Sequence, residues 1–92
     1  MSIAFLDGNY MPIEQAKISP LDRGFLFGDG IYEVVPSFAG KMVGFAPHIA
    51  RMKSGLEAIG IQLKWSTDDW AELCNRLISE NNAGNLGIYL HV

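Results

Sequence analysis

The feature that most constrains this chain is a change of hydrophobic period at Phe45. Before that residue the apolar side chains come in short β-branched and aromatic runs separated by turn dipeptides; after it they recur at helical spacing. Ile3-Ala4-Phe5-Leu6 and Asn9-Tyr10-Met11-Pro12-Ile13 flank Asp7-Gly8, a pair that takes positive φ readily and reads as a hairpin turn. Pro12 has no N–H to give a ladder and belongs at an edge or a strand end. Ile31 to Phe38 and Met42 to Phe45 form a second hairpin around Ala39-Gly40-Lys41, with Pro36 marking a bulge or an edge. Between the hairpins run a polar connection, Glu14 to Ser19, and a glycine-punctuated turn, Gly24 to Gly30, that delivers Tyr32 to the start of a strand.

From Phe45 onward the chain is helical. Phe45, Ile49, Met52, Leu56 and Ile59 form one apolar stripe, Pro47 falls in the first turn and Gly60 stops the helix. Ser66-Thr67-Asp68-Asp69 has the form of a capping box, and Trp70, Leu73, Cys74, Leu77 and Ile78 supply the apolar face of the helix it opens. Asn81 to Asn85 ends that helix, and Leu86 to Val92 returns to the sheet beside one of the early strands. Strands first, then two helices and a closing strand, specify an α+β domain: an antiparallel sheet of about four to five strands with two helices on one face. No strand alternates with helix at βαβ spacing, so a doubly wound sheet is disfavoured.

Ninety-two residues make one small domain, residues 1–92. An apolar share of 49% against 18% charged residues belongs to a soluble globular chain. The net charge is -3, and the seven Lys and Arg are scattered, which leaves no stripe for tracking nucleic-acid phosphates. No apolar run approaches the roughly 20 residues of a membrane span, and Met1 to Leu6 runs straight into Asp7 without a leader. With a lone cysteine, Cys74, placed as a buried small hydrophobe, these features point to the cytoplasm. One cysteine and two distant histidines make no metal site. Leu86 to Val92 carries no charged gatekeeper, and the expectation is that the domain continues into further sequence or that this strand pairs with a partner chain.

Five side chains are weighed as candidates for chemistry: His48, Arg51, Tyr32, Asp29 and Glu33. His48 and Arg51 lie one turn apart at the flank of the apolar stripe, with Gly55 a further turn on. A glycine inside a helix costs roughly 1 kcal/mol against alanine, which points to close approach of another backbone or a ligand. Arg51 beside that gap is either a solvated flank residue or a fork for a phosphate or carboxylate. His48 reads as a structural hydrogen-bonder. Tyr32 is either a core aromatic or a ligand-orienting phenol. Asp29 reads as bonded to its own turn, and Glu33 has no visible partner. No serine or cysteine nucleophile with a base is present.

In order along the chain, Asp22-Arg23-Gly24-Phe25, Phe27-Gly28-Asp29-Gly30-Ile31-Tyr32-Glu33-Val34, Gly40, His48-Ile49-Ala50-Arg51-Met52 and Leu56 to Ile61 resemble the amino-terminal domain of the class IV (fold type IV) pyridoxal-phosphate aminotransferases. The run Tyr32-Glu33-Val34-Val35-Pro36 is most similar to D-amino-acid (D-alanine) aminotransferases. The resemblance spans essentially the whole chain. It implies the small domain of a two-domain homodimer with pyridoxal 5'-phosphate between the domains and amino acids and 2-oxo acids as substrates. It implies that Arg51 binds the cofactor phosphate, giving the Gly55 gap its purpose, and that Tyr32 and Val34 line the substrate pocket. The family's Schiff-base lysine has no counterpart in the motifs around Lys17, Lys41, Lys53 or Lys64. The chain by itself is therefore expected to carry no catalytic residue and to be inactive. Aminodeoxychorismate lyase and branched-chain aminotransferase are the alternatives within the family, and a non-catalytic self-associating fragment is the alternative outside it.

Overall fold

A computed structural model describes residues 2–82 and 84–92. Strands β1 (Ile3–Leu6) and β2 (Asn9–Pro12) form a two-stranded antiparallel hairpin, closed by Asp7 and Gly8 with φ of 50° and 88°. Pro12 is the last residue of β2, where its missing N–H breaks no ladder bond. A 3-10 turn at Ile13–Gln15 leads into the connection. Helix α1 (Arg23–Phe27) follows, then strands β3 (Tyr32–Phe38) and β4 (Lys41–Met42), helices α2 (Phe45–Ala58) and α3 (Thr67–Glu80), and strand β5 (Leu86–His91).

The fold is α+β as expected, and the five strands among the described residues all pair antiparallel, but they divide into two sheets. The second sheet has the order β4-β3-β5, so β3 is central and the closing strand pairs with it from Tyr32↔His91 to Ser37↔Leu86. Pro36 therefore sits in a central strand, opposite Gly87 and without a bulge. Its carbonyl accepts from the Val43 amide on the β4 side. In an antiparallel ladder a residue's N–H and C=O point the same way, so the missing proline N–H falls on that sparsely paired side and spares the β5 ladder. The glycine-punctuated stretch is likewise more than a turn. The Asp22 side chain accepts from the Gly24 amide as an N-cap, and Gly28 ends α1 at φ 67°, which supplies start and stop signals for a short helix.

Helices α2 and α3 cover one face of the β4-β3-β5 sheet. Ile49, Met52 and Leu56 from α2 pack with Trp70, Leu73, Cys74 and Ile78 from α3 on Val35, Ile88 and Leu90 of the strands. Ile59, assigned to the stripe from its spacing, caps α2 and is largely exposed. The Ser66 hydroxyl accepts from the Asp69 amide while the Asp69 carboxylate accepts from the Ser66 amide, completing the capping box. Asn81 ends α3 and ties the hairpin to it: its side-chain oxygen accepts from the Ile3 amide at 2.8 Å and its amide donates to the Ile3 carbonyl at 3.0 Å. The expected terminator Asn81 to Asn85 includes Ala83, which lies outside the described residues. Among the described residues no helix is long and apolar enough to cross a membrane.

Candidate functional site

Strand alternation divides β3 between two surfaces. Glu33, Val35 and Ser37 face the helices and are buried, whereas Tyr32 and Val34 lie on the other face and are exposed. Because β4 opposes only Ser37 and Phe38, the stretch Tyr32 to Val35 has no strand on that side. Ile31 and Val92 exchange both amide hydrogen bonds, and that exchange recurs at alternate residues of an antiparallel ladder. The backbone groups of Tyr32 and Val34 are thus turned toward the open edge. Between this edge and α2 lies an open depression of about 450 Å³, walled by Tyr32, Glu33, Val34, His48 and Arg51.

The three site residues expected from sequence, Tyr32, Val34 and Arg51, therefore border one depression, and the residue that joins its two walls is Glu33. Its side chain is 4% exposed. Arg51 Nε donates to Glu33 Oε2 at 2.6 Å and Nη2 donates to Oε1 at 2.7 Å, while His48 Nδ1 lies 2.7 Å from the same Oε1. His48 and Arg51 reach one carboxylate because residues three apart on a helix project side by side. The expectation that Glu33 lacks a partner is overturned, and the reason is that both partners sit on a helix that strand spacing does not reveal. His48 makes a side-chain hydrogen bond with Glu33 and also walls the depression.

The electrostatics follow from this arrangement. A buried carboxylate is tolerated only when paired and hydrogen-bonded. The Arg51 hydrogen bonds first, and the His48 contact second, outweigh burial and hold the Glu33 carboxyl at about 2, well below the usual carboxylate range. The same bonds raise Arg51 above its ordinary value. Arg51 remains 72% exposed along its side chain. Its Nη1 makes no hydrogen bond with the described residues, so one edge of the fork is held by Glu33 and the other is left unbonded on a residue that walls the depression. That donor set fits a phosphoryl group, which accepts two parallel N–H bonds from a planar guanidinium.

Two readings need correction. Gly55 does not leave room for a ligand: a Cβ there would come within 3.1 Å of Ile31 Cδ1 and Cγ2, so the glycine admits the Ile31 side chain between helix and strand. Asp29 does not bond its own turn but accepts from Arg23 Nε at 2.8 Å across α1.

Strand β5 adds two side chains that sequence reading passed over. Tyr89 stacks on Tyr32 with ring centroids 5.7 Å apart, and its hydroxyl is 2.8 Å from His91 Nδ1. The signal was available in the alternation of Leu86 to His91, which puts Ile88 and Leu90 inward and Tyr89 and His91 outward with Tyr32. Lys53 Nζ donates to Thr67 Oγ1, and no lysine lines the depression. Among the described residues no group of three or more His, Cys, Asp or Glu side chains is gathered for a metal.

Residues 30–92, the part that carries β3, both long helices and β5, match the amino-transferase class IV family, and the chain belongs to that family. Among curated relatives it is 40% identical over 90 residues to a D-alanine aminotransferase of Staphylococcus epidermidis, covering 98% of this chain and 32% of that protein. It is 37% identical over 79 residues to a D-alanine aminotransferase of Listeria monocytogenes, covering 86% of this chain and 27% of that protein. The chain thus spans about a third of the length of the curated relatives it matches. Among solved structures, a branched-chain aminotransferase from Thermoproteus uzoniensis superposes with a TM-score of 0.87 over 98% of this chain and 32% of that one, at 18% identity, a likeness of fold. A putative 4-amino-4-deoxychorismate lyase from Legionella pneumophila superposes with a TM-score of 0.77 at 27% identity, over 84% of this chain and 28% of that one.

Proposed function

We propose that this chain is the small amino-terminal domain of a cytoplasmic, homodimeric, pyridoxal-phosphate-dependent transaminase acting on D-amino acids and 2-oxo acids. The observation that carries the reading is the meeting of Tyr32, Val34 and Arg51 around one depression. The 40% identity to a D-alanine aminotransferase supports the choice of substrate class. Pyridoxal phosphate supplies the electron sink through which an amino group passes between an amino acid and a 2-oxo acid. Arg51 anchors the phosphate with the guanidinium edge that Glu33 leaves free. Tyr32 and Val34 form the side of the pocket that meets the substrate, the tyrosine offering a phenol and the valine an apolar surface. Their strand is fixed by pairing with β5 along its length, so the wall is rigid on the scale that orienting a small amino acid requires. The covalent lysine, and the basic groups that hold the substrate carboxylate, come in this reading from outside the chain.

The complete protein is assayed with D-alanine plus 2-oxoglutarate, with L-leucine plus 2-oxoglutarate, and with aminodeoxychorismate. Pyruvate formation from D-alanine is expected; no turnover of any D-amino acid would refute the substrate class. A second reading, aminodeoxychorismate lyase, is favoured by the 27% identity to the Legionella pneumophila protein, and release of pyruvate from aminodeoxychorismate without an amino acceptor would establish it.

A further inference from the structure

We propose that Glu33 is a positioning residue that fixes the Arg51 guanidinium so that its unbonded edge is presented, ready oriented, to a phosphate monoester; the inference rests on the phosphate-anchor reading of Arg51 given above. Within the described residues the only hydrogen bonds and the only ion pair of the Arg51 side chain go to Glu33, and it is otherwise exposed to water for 72% of its surface. A free arginine of that exposure samples many rotamers, and a ligand that needs one of them must stop the others. The carboxylate does this beforehand. It grips Nε and Nη2 together, which fixes the plane of the fork as well as its position, and it is itself buried, at 4% exposure, on a strand paired along its length with β5. His48 completes the grip by occupying Oε1 from one turn earlier on α2, so the carboxylate cannot swing away with the arginine.

Two effects of Glu33 oppose one another. Its negative charge repels a phosphate, and its bonds orient the group that attracts it. The repulsion acts across the intervening guanidinium and in a depression open to solvent, where charge effects are weakened and salt-screened. The orientation is a short-range effect that water does not dilute, so it prevails. An arrangement in which a buried acid holds a binding group in place is the same device that outer-shell partners supply to metal ligands.

The test compares affinities of the complete protein for pyridoxal phosphate and for pyridoxal, read by absorbance titration, because the ratio isolates the phosphate contribution. Arg51→Ala is expected to collapse that ratio, and failure to do so would refute the phosphate anchor itself. With that result in hand, Glu33→Gln is expected to lower the ratio by about tenfold, since one of the two accepting oxygens becomes an NH2 that cannot accept and the two-point grip on the fork is lost. Glu33→Asp, which keeps the charge on a shorter arm, should recover part of the loss. In the Glu33→Gln, Arg51→Ala double variant the ratio should equal that of Arg51→Ala alone, as it must if Glu33 acts only through Arg51. A merely structural role lowers thermal stability and leaves the ratio untouched, so an unchanged or increased ratio in Glu33→Gln overturns the inference. Where Glu33→Gln does not fold, the ratio in Glu33→Asp decides: equal to wild type, it overturns the proposal.

Discussion

Protonating Glu33 should unfasten β3 from α2, and the size of the effect follows from the geometry. The carboxyl is lowered from 4.5 to about 2 by the Arg51 and His48 contacts. Each tenfold change in an acid dissociation constant corresponds to about 1.4 kcal/mol, which sets an upper bound of about 3.5 kcal/mol on what the folded state gains from the ionised group. Arg51 is 72% exposed, so water and salt screen the pair and reduce the gain to about half of that bound, near 1.7 kcal/mol. Because the folded-state value is depressed, the contribution is complete at neutral pH, where both states are ionised. It begins to fall below about 4.5, where the unfolded chain takes up a proton that the folded one refuses, and is gone once the pH drops through about 2. The assay is amide hydrogen exchange in β3 and α2, which reports opening of this region alone. Wild type and Glu33→Gln are compared at each pH so that intrinsic exchange rates cancel. The gap should be about tenfold in protection above pH 5 and should shrink steadily toward pH 3. A gap that stays constant from pH 6 to pH 3, or no gap at neutral pH, would refute the argument.

Three further outcomes are expected. Gly55→Ala should be close to neutral, because a gain of about 1 kcal/mol in helix propensity is cancelled by crowding against Ile31; in an Ile31→Ala background the same substitution should stabilise by about 1 kcal/mol, measured by denaturant midpoint. Burial pushes the Cys74 thiol up to about 11, so at pH 8 it should resist alkylation in the native protein and react fully in denaturant. Ser66→Ala, which removes the hydroxyl that accepts from Asp69 N, should cost about 1 kcal/mol and loosen exchange protection in the first turn of α3 before any other part.

What the sequence made legible was whatever is local. The Asp7-Gly8 hairpin, the Ser66 capping box and the stripes of α2 and α3 each depend on residues within a few positions of one another, and each formed where its pattern lies. The family resemblance placed Tyr32, Val34 and Arg51 together, and they border the same depression. Pairings set by tertiary contact were harder to see. Glu33 stood in an apolar run at a position whose neighbours, Tyr32 and Val34, face outward, and that alternation alone required a buried carboxylate with a partner. Arg51 and His48, at helical spacing, were the available partners, but linking them needed the knowledge that α2 packs on β3. Gly55 shows the converse error: a gap was visible in the helix, yet what fills it, Ile31, comes from a strand entrance far along the chain. The division of the strands into two sheets was also hidden, because the hydrogen bonds that dock the first hairpin to α3 come from a single side chain, that of the C-cap residue Asn81, far along the sequence from Ile3.

Gly28 and Gly30 look alike in sequence and should respond differently to substitution. Gly28 ends α1 at φ 67°, and a Cβ there would meet nothing within 4 Å, so Gly28→Ala should carry only the left-handed backbone cost of about 1 kcal/mol. Gly30 takes no positive φ. Its glycine is required for space, since a Cβ would lie 2.6 Å from His91 Nε2 and 2.9 Å from the Val92 carbonyl oxygen. The imidazole can rotate away, but doing so breaks its contact with the Tyr89 hydroxyl. The Val92 carbonyl cannot yield without losing its bond from the Ile31 amide, the first rung between β3 and β5. Overpacking of this kind costs about 1–3 kcal/mol. Gly30→Ala should therefore be the more damaging change, with exchange protection lost first at Ile31 and Val92. Adding His91→Ala should restore only part of the loss, because the carbonyl remains in the way. Equal stability of the two glycine variants, or complete rescue by His91→Ala, would show that the close approach of β5 to Gly30 does not constrain the turn.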